Sequence, residues 1–304
     1  MATTTATQSR TTTRVFPLQY FVLAFAFTWA LWVPAALEAR DLFPSLPIPA
    51  TFLGAFGPLL AAVVVTAQDD GRAGLRSLLG RVVRWRVPPI WYGVTILGPI
   101  VLYLTAMALN VVLGGQPPDL AALIGALPLV LAISVYMLIA VALGEEVGWR
   151  GYALPALQAR YSALLASVIL GVMWALWHLP LFFNPDTIYG NLPFVVQLAL
   201  QIPLAILLTW VYNSTRGSIL MVMLLHAVFN AGGQLWKTIP AYSVEPSSAA
   251  EAAARTLHVN LVAVILLWAA AVVVVLVYGA RNLSRETRQG LADAGGESRE
   301  PRVR

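Results

Sequence analysis

Apolar residues run through this chain in long, nearly unbroken stretches, each closed by a short polar or Arg-bearing connection. A helix needs about 20 mostly apolar residues to cross a bilayer. The pattern predicts eight such spans, at Phe16–Leu37, Ala50–Ala67, Ile90–Leu113, Ala121–Leu143, Ser162–Phe183, Phe194–Tyr212, Ser218–Trp236 and Leu257–Ala280. The fourth is expected to run on past Leu143, because nothing before Pro155 stops it. The first is longer than the h-region of a signal peptide and is expected to be retained. The expected fold is therefore all-α and polytopic. A tail at 1–15 precedes an eight-helix body over 16–280, and a polar, Gly/Ser/Glu/Arg-rich tail of disordered composition follows over 281–304.

Composition agrees with that pattern. Hydrophobic residues make up 59% of the 304 positions and charged ones only 11%, with mean hydropathy +0.76. A soluble globule with so little charge would lack a polar surface. The net charge of +5 comes with 18 Arg and a single Lys, Lys237. These residues flank the apolar runs rather than forming one basic face, which argues against nucleic-acid binding. With no cysteine there are no disulfides, thiolate nucleophiles or Cys-ligated metals. No internal repeat and no Gly-rich phosphate loop is evident.

The basic residues also set an orientation. With a cytoplasmic N-terminus, sixteen of them fall on the inner side and only Arg40, Lys237 and Arg255 outside. A cell-membrane protein with both termini in the cytoplasm is the expectation. Asn213-Ser214-Thr215 then lies on the cytoplasmic side and is no glycosylation acceptor. Gly71–Arg86 alternates Arg with Leu, Val and Trp85, which suits an amphipathic helix; Arg72–Arg86 is expected to touch anionic lipid at the inner leaflet.

Ionisable groups inside a bilayer cost about 2.5–3.5 kcal/mol each on insertion scales and point to function. Four stand out: Glu145 and Glu146 in the fourth span, His178 in the fifth and His226 in the seventh. Glu146 and Arg150 are one helical turn apart and can pair. Adjacent helix positions differ by about 100°, so Glu145 points elsewhere and is the candidate general base; both glutamates would equally suit interfacial charges. Trp174 and His178 share a face just before Pro180, which disturbs the helix; an aromatic belt would look the same. His226 and Asn230, again one turn apart, can donate to an oxyanion or join helices. His258, at the outer edge of the eighth span, has no polar neighbour at helical spacing and is read as structural.

Taken together, these residues resemble the CPBP family of intramembrane proteases, which contains the CAAX prenyl endopeptidases and the Abi bacteriocin-processing and immunity proteins. Its motifs stand here as Glu145-Glu146-x-x-x-Arg150, Trp174-x-x-x-His178 and His226-x-x-x-Asn230. The likeness covers roughly 144–233, including Gly144 to Tyr152, Trp177-His178-Leu179-Pro180 and Gly217-Ser218-Ile219-Leu220. Trp174 stands where Phe is common, an aromatic-for-aromatic change.

The resemblance implies a polar catalytic cavity between the fourth, fifth and seventh helices. There Glu145 and His178 activate water, Glu146 holds Arg150, and His226 with Asn230 stabilises the tetrahedral oxyanion. The substrate is then a peptide or membrane protein. A metal-free, glutamate-type reaction is favoured; zinc on Glu145, His178 and His226 is the metalloprotease alternative. A non-catalytic immunity factor, scaffold or transporter using the same cluster structurally is the other reading. One spacing fits poorly. His178 would lie about 24 Å along a fifth span starting at Ser162, and His226 about 12 Å along the seventh. A shared site asks the fifth span to tilt or to start earlier, within Leu154–Tyr161.

Overall fold

The computed structural model describes residues 16–190, 192–243 and 247–285. The tail at 1–15 and the end of the chain over 286–304, with Arg10, Arg14, Arg288, Arg299, Arg302 and Arg304, lie outside the described residues. Among the described residues there is no strand, and eight helical segments are long and apolar enough to cross a membrane. In chain order they are Leu18–Glu38, Ala50–Val82, Ile90–Val112, Leu120–Gln158, Ala163–Phe183, Phe194–Ser214, Ile219–Thr238 and Ala253–Tyr278. Short polar side chains fix several of the starts. Asp119 accepts from the Ala122 N–H, Ser162 from Leu165 and Ser218 from Met221, each satisfying a donor that the first turn leaves unpaired.

Two spans run beyond their expected ends. The second continues to Val82, so the Arg-rich amphipathic segment is joined to it across a break at Gly71 (φ 57°, ψ −146°). That positive φ is one a glycine adopts readily. The fourth continues to Gln158 and takes up Leu154–Gln158, so the fifth span does not begin there. Its start is the cap at Ser162. Pro155 does not end the fourth span because it falls in the first turn of Leu154–Gln158, directly after a wide turn in which the helical ladder is already shifted.

That wide turn, Trp149–Ala153, is one of two π-helical turns in the fourth span; the other is Leu138–Ala142. Between them lies one short α segment, Leu143–Gly148, carrying both glutamates. Two glycines press this segment against the second span. A methyl group on Gly144 would meet the Ala55 carbonyl oxygen at 2.6 Å, and one on Gly148 the Pro58 carbonyl oxygen at 2.5 Å. Backbones can approach that closely only through small residues, the usual device where membrane helices pack. Around them Trp149, Trp174 and Trp177 are fully buried in the largest core cluster.

The connections gather at two ends of the bundle. At one end Arg81 donates to the Tyr212 hydroxyl and the Gly151 carbonyl, Arg84 to the Arg216 carbonyl, and Asn213 to the Asn282 carbonyl. The Ala163 and Leu164 N–H groups donate to the carbonyls of Arg281 and Ala280 there as well. At the other end Arg40 donates to the Phe183 carbonyl and the Asp119 N–H to the Thr238 carbonyl. His258 does find a polar neighbour, Asn110 Oδ1 at 3.2 Å, but on the third span rather than its own.

Candidate active site

The fourth, fifth and seventh spans bring their polar residues together around the Trp174 indole. Its Nε1–H donates to Glu145 Oε2 at 2.6 Å, and its ring lies 5.2 Å from that of His226 and 6.2 Å from that of His178. The Arg150 guanidinium sits 4.6 Å above the same ring. Trp174 thereby closes the spacing gap. It lies one turn before His178 on the fifth span, so the span starts at Ser162 and still reaches the glutamates and His226.

Each ionisable group has a defined partner. Glu146 Oε1 accepts from Arg150 Nη1 at 2.9 Å and pairs with His226 Nδ1 at 2.8 Å. A carboxylate only accepts, so Nδ1 of His226 carries the hydrogen and Nε2 is the nitrogen left for other partners. His178 Nδ1 lies 2.8 Å from the Trp174 carbonyl oxygen. The same logic puts its hydrogen on Nδ1 and a lone pair on Nε2. Trp32, Trp174, Trp177 and Tyr189 all lie ring-to-ring against this imidazole. His178 ends its α-helix at the C-cap, and Pro180 falls in the first turn of a 3₁₀ segment, Leu179–Phe183, just beyond, where the sequence expects the helix to be disturbed.

Glu145, Glu146, Arg150, His178 and His226 are all buried. Among the described residues no donor reaches Glu145 Oε1, so the outer oxygen of this carboxylate has no assigned role in the fold. Asn230, one turn beyond His226, is half-buried and makes no side-chain hydrogen bond among the described residues. No group of three or more His, Asp or Glu side chains that could share a metal ion gathers among the described residues. A cavity of about 440 Å³ lies apart from the glutamates, between the third, sixth, seventh and eighth spans, with Leu225 and Phe229 beside His226 in its wall.

A family profile described as Type II CAAX prenyl endopeptidase Rce1-like matches residues 127–232, which hold every one of these residues. CAAX prenyl protease 2 of Methanococcus maripaludis is 27% identical over 236 residues, covering 72% of this chain and 84% of that protein. Both comparisons place the likeness of this chain with the CAAX prenyl endopeptidases. With eight helices among the described residues long and apolar enough to cross a membrane, it is a multi-pass membrane protein.

Within this site, two contacts were invisible to the motif spacing. One is Glu146 to His226, eighty positions apart. The other is Trp174 to Glu145, which makes the Trp-for-Phe difference consequential: an indole N–H donates where a phenyl ring cannot. Trp174→Phe is expected to lower kcat for peptide cleavage about 10–100-fold, the loss of one hydrogen bond to a charged group. Steady-state kinetics in detergent micelles, alongside the thermal midpoint, checks this. Unchanged kcat in a folded variant would show that the Trp174–Glu145 bond does not support turnover.

Proposed function

We propose that this chain is a glutamate-type endopeptidase that hydrolyses peptide bonds of peptide or membrane-protein substrates near the cytoplasmic leaflet. The observation that carries this reading is the division of labour between the two neighbouring glutamates. Glu146 Oε1 pairs with both Arg150 and His226, while Glu145 accepts a single hydrogen bond, from Trp174 one turn before His178. Water between Glu145 Oε1 and His178 Nε2 loses a proton to this pair as its oxygen attacks the scissile carbonyl carbon. The oxyanion that forms is held by His226 and the side-chain amide of Asn230. When the tetrahedral intermediate collapses, the C–N bond breaks and the proton passes to the leaving amine. Glu146, pinned by Arg150, keeps His226 in the required orientation. Among the described residues no three His, Asp or Glu side chains gather as a shared zinc would need, and the steps above are carried by the side chains alone.

The distribution of basic residues supports a cytoplasmic placement of the end of the bundle that holds Arg81, Arg84, Arg216 and Arg281. Arg72, Arg76 and Arg86 are exposed there beside exposed Leu79, Val83 and Trp85, a combination suited to anionic lipid. The Methanococcus relative is named as a CAAX prenyl protease, so a prenylated C-terminal peptide is the first substrate class to try.

The decisive comparison is of protein and peptide termini, by mass spectrometry, in membranes carrying the wild type or Glu145→Ala at matched abundance. New termini are expected only with the wild type, and they persist after prolonged chelation. Identical termini in both membranes would instead favour a non-catalytic immunity or scaffold role for the cluster. Loss of cleavage on chelation, restored by zinc, would favour the metalloprotease alternative.

A further inference from the structure

Among the described residues, Tyr189 is the one aromatic neighbour of His178 that comes from outside the spans. It sits in the connection between the fifth and sixth spans, and local bonds shape that connection. Asn184 Oδ1 accepts from the Asp186 N–H at 3.0 Å, and the Thr187 hydroxyl donates to the Leu181 and Asn184 carbonyls at 2.8 and 3.0 Å. The result lays the Tyr189 ring 5.1 Å from His178 and 5.4 Å from Phe182. Among the described residues its hydroxyl makes no hydrogen bond, although the ring is packed against the main core cluster. Burial pushes the Tyr189 phenol above its ordinary range, and the charge of Glu145 adds to the push. The phenol is therefore within electrostatic reach of the carboxylate whose outer oxygen has no donor.

A phenol can donate one hydrogen bond and accept others. Placed beside a base and its histidine, it can fix the orientation of a water molecule that both must deprotonate. We propose that Tyr189 is a further catalytic residue of this site, its hydroxyl hydrogen-bonding the attacking water between Glu145 and His178. The proposal rests on the hydrolytic reading above. Tyr189 transfers no proton in the net reaction; it donates to the water oxygen while Glu145 and His178 take the water's proton. Its position on a connection rather than a helix explains why no helical spacing reveals it.

The test is the kinetics of Tyr189→Phe and Tyr189→Leu beside the wild type and Glu145→Gln, on one cleavable peptide. Removing only the hydroxyl is expected to lower kcat roughly tenfold to a hundredfold, the scale of a misplaced reactant, with KM within about twofold of the wild type. Tyr189→Leu, which also removes the ring, is expected to be no slower in kcat than Tyr189→Phe. A Tyr189→Phe enzyme with unchanged kcat, or one altered in KM alone, overturns the proposal while Glu145→Gln remains inactive. Cleavage that persists in Glu145→Gln would instead overturn the hydrolytic reading itself. Thermal midpoints of both variants separate a folding loss from a catalytic one.

Discussion

Glu145→Gln is expected to lower kcat about 10²–10⁴-fold, the contribution typical of a positioned general base, while leaving the fold intact. Gln keeps the size of the side chain and can still accept the Trp174 hydrogen bond through its carbonyl oxygen. What it loses is the ability to receive a proton from water. The matched change at Glu146 has a different character, because that carboxylate is tied to two neighbours. Single-turnover rates on a quenched peptide, with circular dichroism of the purified variant, give the measurement. A Glu145→Gln protein that cleaves within about tenfold of wild type would remove Glu145 from the role of base.

Arg150→Met is expected to be the most damaging structural change in the site. Both Arg150 and Glu146 are fully buried and lie 2.9 Å apart. Removing one member of such a pair strands the other charge, which costs about 3–5 kcal/mol. The variant should show a large fall in thermal midpoint or fail to accumulate. Combining Arg150→Met with Glu146→Leu removes both charges and should return much of that stability, yet activity should stay absent because His226 has lost its acceptor. If the single variant is as stable as wild type, Arg150 does not anchor Glu146.

Composition alone announces eight spans, because a bilayer forces every backbone polar group into internal hydrogen bonds and so leaves long apolar helices in the sequence. The pairs Glu146 with Arg150, Trp174 with His178, and His226 with Asn230 can be read for the same kind of reason: i,i+4 spacing reports a shared face within one helix. Contacts between helices carry no such spacing. The bonds from Glu146 to His226 and from Trp174 to Glu145 depend on how three spans tilt and lean, and no window of sequence holds that information. The run of the fourth span past Leu143 was legible, but its passage through Pro155 was not, since Pro155 reads as a stop until the wide turn before it is seen. The resemblance to Phe at position 174 concealed a donor that only the geometry brings out.

The two π-turns that bracket Leu143–Gly148 make the fourth span unequally tolerant of changes in length. Each wide turn holds one residue more than an ordinary turn would. Deleting a residue from either would let regular α-geometry return with the flanking faces nearly in register. The short α segment between them has no such slack. A residue lost there would swing every side chain on one side of the cut by about 100° relative to the other, turning the glutamates out of step with the rest of the span. In this helix the place at which a residue is lost matters as much as the loss itself.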